Sequence, residues 1–174
     1  MLGENREGFQ MKILVSASSR HGSTKEVAEA LSQRLRERGF EVEQKLPEDV
    51  TDISDYSAVV VGSSVYLRQW SDEAKDFVSR FHKELRDMPS WAFSVGMSGV
   101  SKSKPKDIRR IGPVAVDGVF DGQEVFDGRY DPTALNLRER SIGYVGGAVE
   151  GDYRDWDKIR AYADRIADTL QSES

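Results

Sequence analysis

Residues Ser18-Ser19-Arg20-His21-Gly22-Ser23-Thr24 place four hydroxyls and one glycine immediately before a helical pattern. That combination suits an oxyanion. Backbone N–H groups at a helix start point at the anion, the helix dipole favours its charge, and Ser/Thr hydroxyls add donors. Gly22 lets the backbone turn tightly without a Cβ clash. The competing reading is an ordinary Ser-rich turn with a capping box from Ser23 to Glu26. No Gly-Lys-Ser/Thr follows four intervening residues and no G-x-G-x-x-G occurs, so the loop fits a monophosphate better than a di- or triphosphate. A second group, Ser64, Val65, Tyr66 and Trp70, follows another apolar run and offers a wall for a flat aromatic ligand. The alternative for both rings is packing on the next helix. Met97, Ser98 and Gly99 lie in a third loop, Gly96–Lys102, able to present backbone donors and acceptors.

Other chemistries are excluded by composition. The 174 residues contain no cysteine, which removes disulfides, thiolate nucleophiles, Cys-ligated zinc and iron–sulfur clusters. With His21 and His82 the only histidines, a multi-His metal site is out of reach. Asp152, Asp155 and Asp157 have metal-like spacing, but negative charge at a helix start explains them better. No residue is assigned as catalytic. The run Lys102, Lys104, Lys106, Arg109 and Arg110 reads as a solvated loop, with docking of an acidic partner or a propionate-bearing substrate as the sharper alternative. A formal net charge of -5 argues against a nucleic-acid partner. No stretch of 18 apolar residues appears, and the polar opening MLGENREGFQ is no secretory signal, so a cytoplasmic location is expected.

The three loops need elements to carry them. Met11–Ala17 and Ala58–Gly62 are short apolar runs without alternation, the pattern of strands buried on both faces, and Trp91–Val95 reads as the next strand. Phe40–Val42 supplies another short strand. For the last strand, Glu124–Tyr130 is preferred over Val114–Phe120. Helical spacing predicts helices over Thr24–Arg38, with Gly39 at its end, over Ser71–Leu85 capped by Ser71, and after Asp155. Trp156 is expected to anchor the last helix in the core, and Ala134–Tyr144 to form an additional helix. Residues 1–10 read as a flexible leader and 11–174 as one domain, consistent with this length. Strand and helix alternate with connections too long for hairpins. The fold class is therefore α/β: a five-stranded parallel sheet of order 2-1-3-4-5 with helices on both faces, in three layers. A ligand in such a sheet sits at the carboxyl ends of strands 1 and 3, where the winding reverses.

Together the three loops resemble the flavodoxin family. Ser19–Thr24 is similar to that family's phosphate loop for flavin mononucleotide (FMN), with Thr24 at the position of its final threonine; His21 departs from the small hydroxyl residue often found there. Within the family the likeness is greatest to the menaquinone-dependent protoporphyrinogen dehydrogenase branch. It is carried by Ala17–Thr24, Val60–Tyr66, Met88–Val95, Phe126-Asp127-Gly128-Arg129-Tyr130 and Glu150–Trp156. The branch's extra segment before the last helix has a counterpart around Asp131–Val149, which carries Arg138, Glu139 and Arg140. The resemblance implies an FMN-binding flavoprotein whose phosphate lies in Ser18–Thr24, its ring between the Val65–Trp70 and Met97–Ser101 loops. The implied role is oxidoreduction with a quinone or porphyrinogen, or one-electron exchange with a protein partner as a carrier. A cofactor-free binding module of the same fold is a further alternative. A phospho-receiver is disfavoured, because Ser18, Ser19 and Ser63 stand where it needs carboxylates.

Overall fold

The computed structural model describes residues 10–20, 22–66, 69–96, 118–130 and 151–174. In chain order these form β1 (Lys12–Ser18), α1 (Ser23–Glu37), β2 (Glu41–Lys45), a 3-10 turn at Pro47–Asp49, β3 (Ala58–Tyr66) and β4 (Gln69–Trp70). There follow α2 (Asp72–Arg80), α3 (His82–Asp87), β5 (Ser90–Gly96), β6 (Gly122–Asp127), β7 (Arg129–Tyr130), β8 (Gly151–Asp152) and α4 (Trp156–Ser172). The main sheet runs β2-β1-β3-β5-β6, all parallel, with β4 turning back antiparallel on β3. Counting the parallel strands in chain order, this is the expected 2-1-3-4-5 winding.

Apolar runs without alternation become central strands because both sheet faces are covered. Ile13 and Val15 of β1, Ala58 and Val60 of β3, and Trp91, Phe93 and Val95 of β5 pack under α1 and α4. Their neighbours Leu14, Val59, Val61 and Ala92 face the other way, into a cluster completed by Ala74, Phe77 and Val78 of α2 and Leu85 of α3. Each Val, Leu, Ile or Phe side chain so buried contributes roughly 1.5–3 kcal/mol of transfer free energy. Gly62 is demanded by this packing: a Cβ there would lie 2.1 Å from the Phe93 ring. Among the described residues, no helix is long and apolar enough to cross a membrane.

Several local expectations need correction. The helix expected over Ser71–Leu85 is interrupted at Phe81, whose φ of -110° and ψ of 18° leave the helical region. Periodicity is blind to this break, because Phe77, Phe81 and Leu85 keep their fourfold spacing across it and all stay buried. The Ser71 cap forms, its hydroxyl accepting from the Ala74 N–H at 3.3 Å. Asp155 likewise caps α4 through the Lys158 N–H. The capping box at Ser23 does not form. Gly22 is the N-cap, in the left-handed region at φ 85°, and the Ser23 hydroxyl is turned to another strand. Nor is Trp156 a core anchor: it is 36% exposed, with the Arg154 guanidinium 4.6 Å from its ring, while Ile159, Tyr162 and Ile166 fill the core. His82 is exposed. Of the two choices for the last strand, Gly122–Asp127 takes the place beside β5, since Trp91↔Gly122 through Gly96↔Asp127 is the register that buries Val125 and Phe126. The helix expected at Ala134–Tyr144 and the basic run from Lys102 lie outside the described residues.

Candidate functional site

Parallel register brings the predicted loops to one edge. Ser18 lies opposite Ser63, Ser63 opposite Ser94, and Ser94 opposite Val125, so β1, β3, β5 and β6 all end along the same rim. Their neighbouring loops must then open there, at the point where the winding reverses.

The β1–α1 connection is the most developed part. The Ser19 hydroxyl accepts from the Gly22 N–H at 2.9 Å and closes the turn. Gly22 takes φ 85° and ψ -20°, a conformation that costs an L-residue roughly 1–2 kcal/mol. A Cβ on Gly22 would meet nothing within 4 Å, so the space above the turn is open. No side chain among the described residues caps α1. Among the described residues, no side chain takes up the Ser23, Thr24 and Lys25 N–H groups at the start of this 15-residue helix. Ser18, Ser19 and Ser23 are half-buried and Thr24 is buried. Ser23 accepts the Arg129 N–H at 3.1 Å through its Oγ, which leaves its hydroxyl proton to donate elsewhere. Among the described residues, this turn gathers hydroxyl and backbone donors of the kind that suit an oxyanion.

Beside it lies a cleft of about 650 Å³ lined by Ser18, Ser19, Arg20, Ser64, Tyr66 and Trp70, with Leu46, Glu48, Gln69 and Lys75 among the other residues at its sides. The Arg20 guanidinium sits 4.5 Å from the centre of the Tyr66 ring, bridging the β1 and β3 loops. Val65 is half-buried and pairs with Trp70 across the antiparallel turn. Trp70 is 3% exposed and donates its indole N–H to Ser94 Oγ at 2.7 Å, so it backs the cleft more than it opens onto it. His21, Met97, Ser98 and Gly99 lie outside the described residues.

Sequence reasoning left out what supports this rim. Ser63 Oγ accepts the Ser71 N–H at 2.9 Å and donates to the Ser64 carbonyl, fixing the β3–β4 turn from below. On the other flank, β7 and β8 form an antiparallel ribbon against the start of α1. Gly128 makes the close approach possible. A Cβ there would fall 2.6 Å from the Gly96 carbonyl oxygen and 3.2 Å from Ser23 Oγ. Arg154, whose side chain is 7% exposed, donates to Asp152 and pairs with Glu26 in the first turn of α1. Asp152 thus serves an arginine. Burial lowers the Arg154 pKa from its usual value, but a guanidinium stays protonated in a protein. The only sequence signal for this ribbon was the resemblance of the two segments that contain it.

Known proteins give independent measures of this architecture. The family profile described as "Flavodoxin domain" matches residues 14–145. The protoporphyrinogen IX dehydrogenase [quinone] of Escherichia coli strain K12 is 25% identical over 174 residues, covering 90% of this chain and 95% of that protein. A WrbA-like flavodoxin of Agrobacterium tumefaciens superposes with a TM-score of 0.57 at 16% identity, covering 95% of this chain and 100% of that one. Rubredoxin oxygen:oxidoreductase from Desulfovibrio gigas superposes with a TM-score of 0.56 at 18% identity; 92% of this chain covers only 36% of that larger one.

Proposed function

Because the chain belongs to the flavodoxin-domain family, we propose that it is a flavoprotein that holds FMN at this rim and uses it for oxidoreduction. When bound, the flavin supplies the redox chemistry, accepting or releasing electrons one or two at a time. The observation that carries the reading is the open first turn of α1 below Gly22, flanked by the hydroxyls of Ser19 and Ser23 and adjoining a cleft with an aromatic side.

This chain's own residues do the binding. The N–H groups at the start of α1 and the Ser19 and Ser23 hydroxyls hold the phosphate, and the helix dipole favours its negative charge. Thr24 belongs to the same first turn and is buried there. Tyr66, fixed at the end of β3 and covered by Arg20, gives the flat ring a face to lie against. Ser63, Ser71, Ser94 and Trp70 hold that loop in place through hydrogen bonds, the Trp70–Ser94 one buried. No side chain is assigned to proton transfer.

For the reaction, we favour oxidation of a porphyrinogen with a quinone as acceptor, supported by the relative whose length this chain nearly spans. A carrier exchanging single electrons with a protein partner is the second reading, supported by structural likeness to free-standing flavodoxins. The first test is the visible spectrum of the purified chain with added FMN, followed by titrations with FMN and with riboflavin. Tighter binding of FMN is expected, and equal or absent binding of both rejects the phosphate seat. Flavin-loaded protein mixed with protoporphyrinogen and a menaquinone analogue then separates the two reactions. Quinone turnover supports the dehydrogenase, and fast one-electron exchange without it supports the carrier.

A further inference from the structure

The phosphate seat has an electrostatic problem that its own loop does not solve. Glu26 lies in the first turn of α1. A carboxylate there is good for the bare helix, because it complements the dipole. For the same reason it repels a dianion placed at the helix start. The answer comes from far along the chain.

Arg154 reaches α1 from the segment after β8 and pairs with Glu26 through Nη1. It is held in that pose by Asp152, which accepts from its Nε at 2.8 Å and from its Nη2 at 2.5 Å, and by the Trp156 ring 4.6 Å away. An arginine side chain 7% exposed and held on three sides is a placed charge rather than a mobile surface one. The same ribbon supplies the Arg129 N–H that occupies the Ser23 lone pair and leaves the Ser23 proton free to donate. Tyr153 ties the ribbon together, its N–H donating to the Gly128 carbonyl at 3.2 Å.

We propose that Arg154 is a positioning residue for the phosphate: it neutralises Glu26 at the helix start on which the anion would sit. The inference rests on the phosphate reading of the β1–α1 loop. It assigns to Arg154 an effect on the phosphate only, with none on the isoalloxazine ring.

The test is a set of FMN and riboflavin titrations on the wild-type chain, Arg154→Met, Arg154→Lys, Glu26→Gln and the Arg154→Met/Glu26→Gln pair, with thermal midpoints measured alongside. Methionine keeps the apolar stem against Trp156 and removes the charge. Arg154→Met is expected to weaken FMN about tenfold, the scale of one partly buried charge at a helix end. Riboflavin affinity should stay within about twofold, since it carries no phosphate to be repelled. Removing Glu26 as well should restore most of the lost FMN affinity, and Arg154→Lys should retain most of it. Equal weakening of both flavins, or no rescue by Glu26→Gln, overturns the inference and leaves Arg154 a structural residue. Unchanged FMN affinity in Arg154→Met, with the wild type still preferring FMN to riboflavin, overturns the inference alone. A wild-type chain with no such preference overturns the cofactor reading and the inference together.

Discussion

The indole N–H of Trp70 donates to the Ser94 hydroxyl at 2.7 Å, joining the β3–β4 turn to β5 beneath the candidate cleft. Both residues are buried, Trp70 at 3% and Ser94 at 4% exposure. A buried hydrogen bond of this kind contributes about 1 kcal/mol net, and an orphaned partner costs more. Trp70→Phe keeps an aromatic ring and removes the donor, so it should destabilise the fold by about 1–2 kcal/mol. The urea midpoint should fall with an unchanged slope, because the surface exposed on unfolding hardly changes. An unchanged midpoint would mean that Ser94 finds another donor.

The central layer could be read from the sequence for the same reason that it is stable. Val59, Val60 and Val61 face opposite sides of the sheet in turn, and all are fully buried, so a strand covered on both faces shows as an unbroken apolar run. The loop after β1 was legible from Gly22 and its hydroxyls. The use of Ser23 was not. Its spacing to Glu26 promised a capping box, and only the tertiary approach of Arg129, 106 residues away, decides where that hydroxyl points. Trp156 failed in a similar way. Its position next to a cap suggested the core, whereas Arg154 gives the ring a cation to lie under at the surface. Long-range polar contacts have no local period, so the Arg154–Glu26 pair left no mark in the pattern of apolar residues.

The β1–α1 turn makes a sharp prediction about phosphate. Ser19→Ala removes the acceptor that holds the Gly22 N–H, and Gly22→Ala strains a residue at φ 85°. Each should weaken FMN roughly tenfold, by about 1–2 kcal/mol, while riboflavin affinity changes little. Fluorescence titration with both flavins reads the difference. Thr24→Glu is a poor substitute for these variants, since Thr24 is 1% exposed and a carboxylate there would enter the core. Thr24→Ser keeps the hydroxyl and should leave FMN affinity within about threefold. Equal losses for the two flavins in Ser19→Ala would move the phosphate elsewhere.

At the β2 edge, Glu43 should shape the acid limb of the stability curve. The Lys12 ammonium at 3.0 Å and the Tyr56 hydroxyl at 2.9 Å hold the Glu43 carboxyl down to about 2. A folded-state pKa below the unfolded one adds stability above the unfolded value, lost as protons bind on the way down. The loss should therefore fall between about pH 4.5 and 2. Tyr56 works in the opposite sense. Burial, then the Glu43 carboxylate, pushes its phenol up to about 12, so its contribution is present below pH 10 and lost as pH rises through about 12. The Lys12–Glu43 pair is partly exposed, so the amplitude is modest. Urea midpoints across pH for wild type and Glu43→Gln should converge as pH falls from 4.5 towards 2. Parallel curves there would show that Glu43 titrates normally.

Tyr66 separates ring binding from phosphate binding. Its ring lines the cleft at the end of β3, and the Arg20 guanidinium lies 4.5 Å from its centre. If the flavin lies against this pair, the stacking partner is indifferent to what the ribityl chain carries at its far end. Tyr66→Leu keeps apolar bulk and removes the π face, which is worth about 0.5–1.5 kcal/mol beyond area. FMN and riboflavin should then weaken by the same factor, about three- to tenfold, and the bound-state absorption band should shift towards that of free flavin. Arg20→Gln tests the other half of the pair. Arg20 follows Ser19 in the β1–α1 loop but reaches over Tyr66, so its loss should affect both flavins if it serves the ring. A loss confined to FMN in both variants would place Arg20 on the phosphate and make Tyr66 its support, with the flat ring lodged against some other part of the rim.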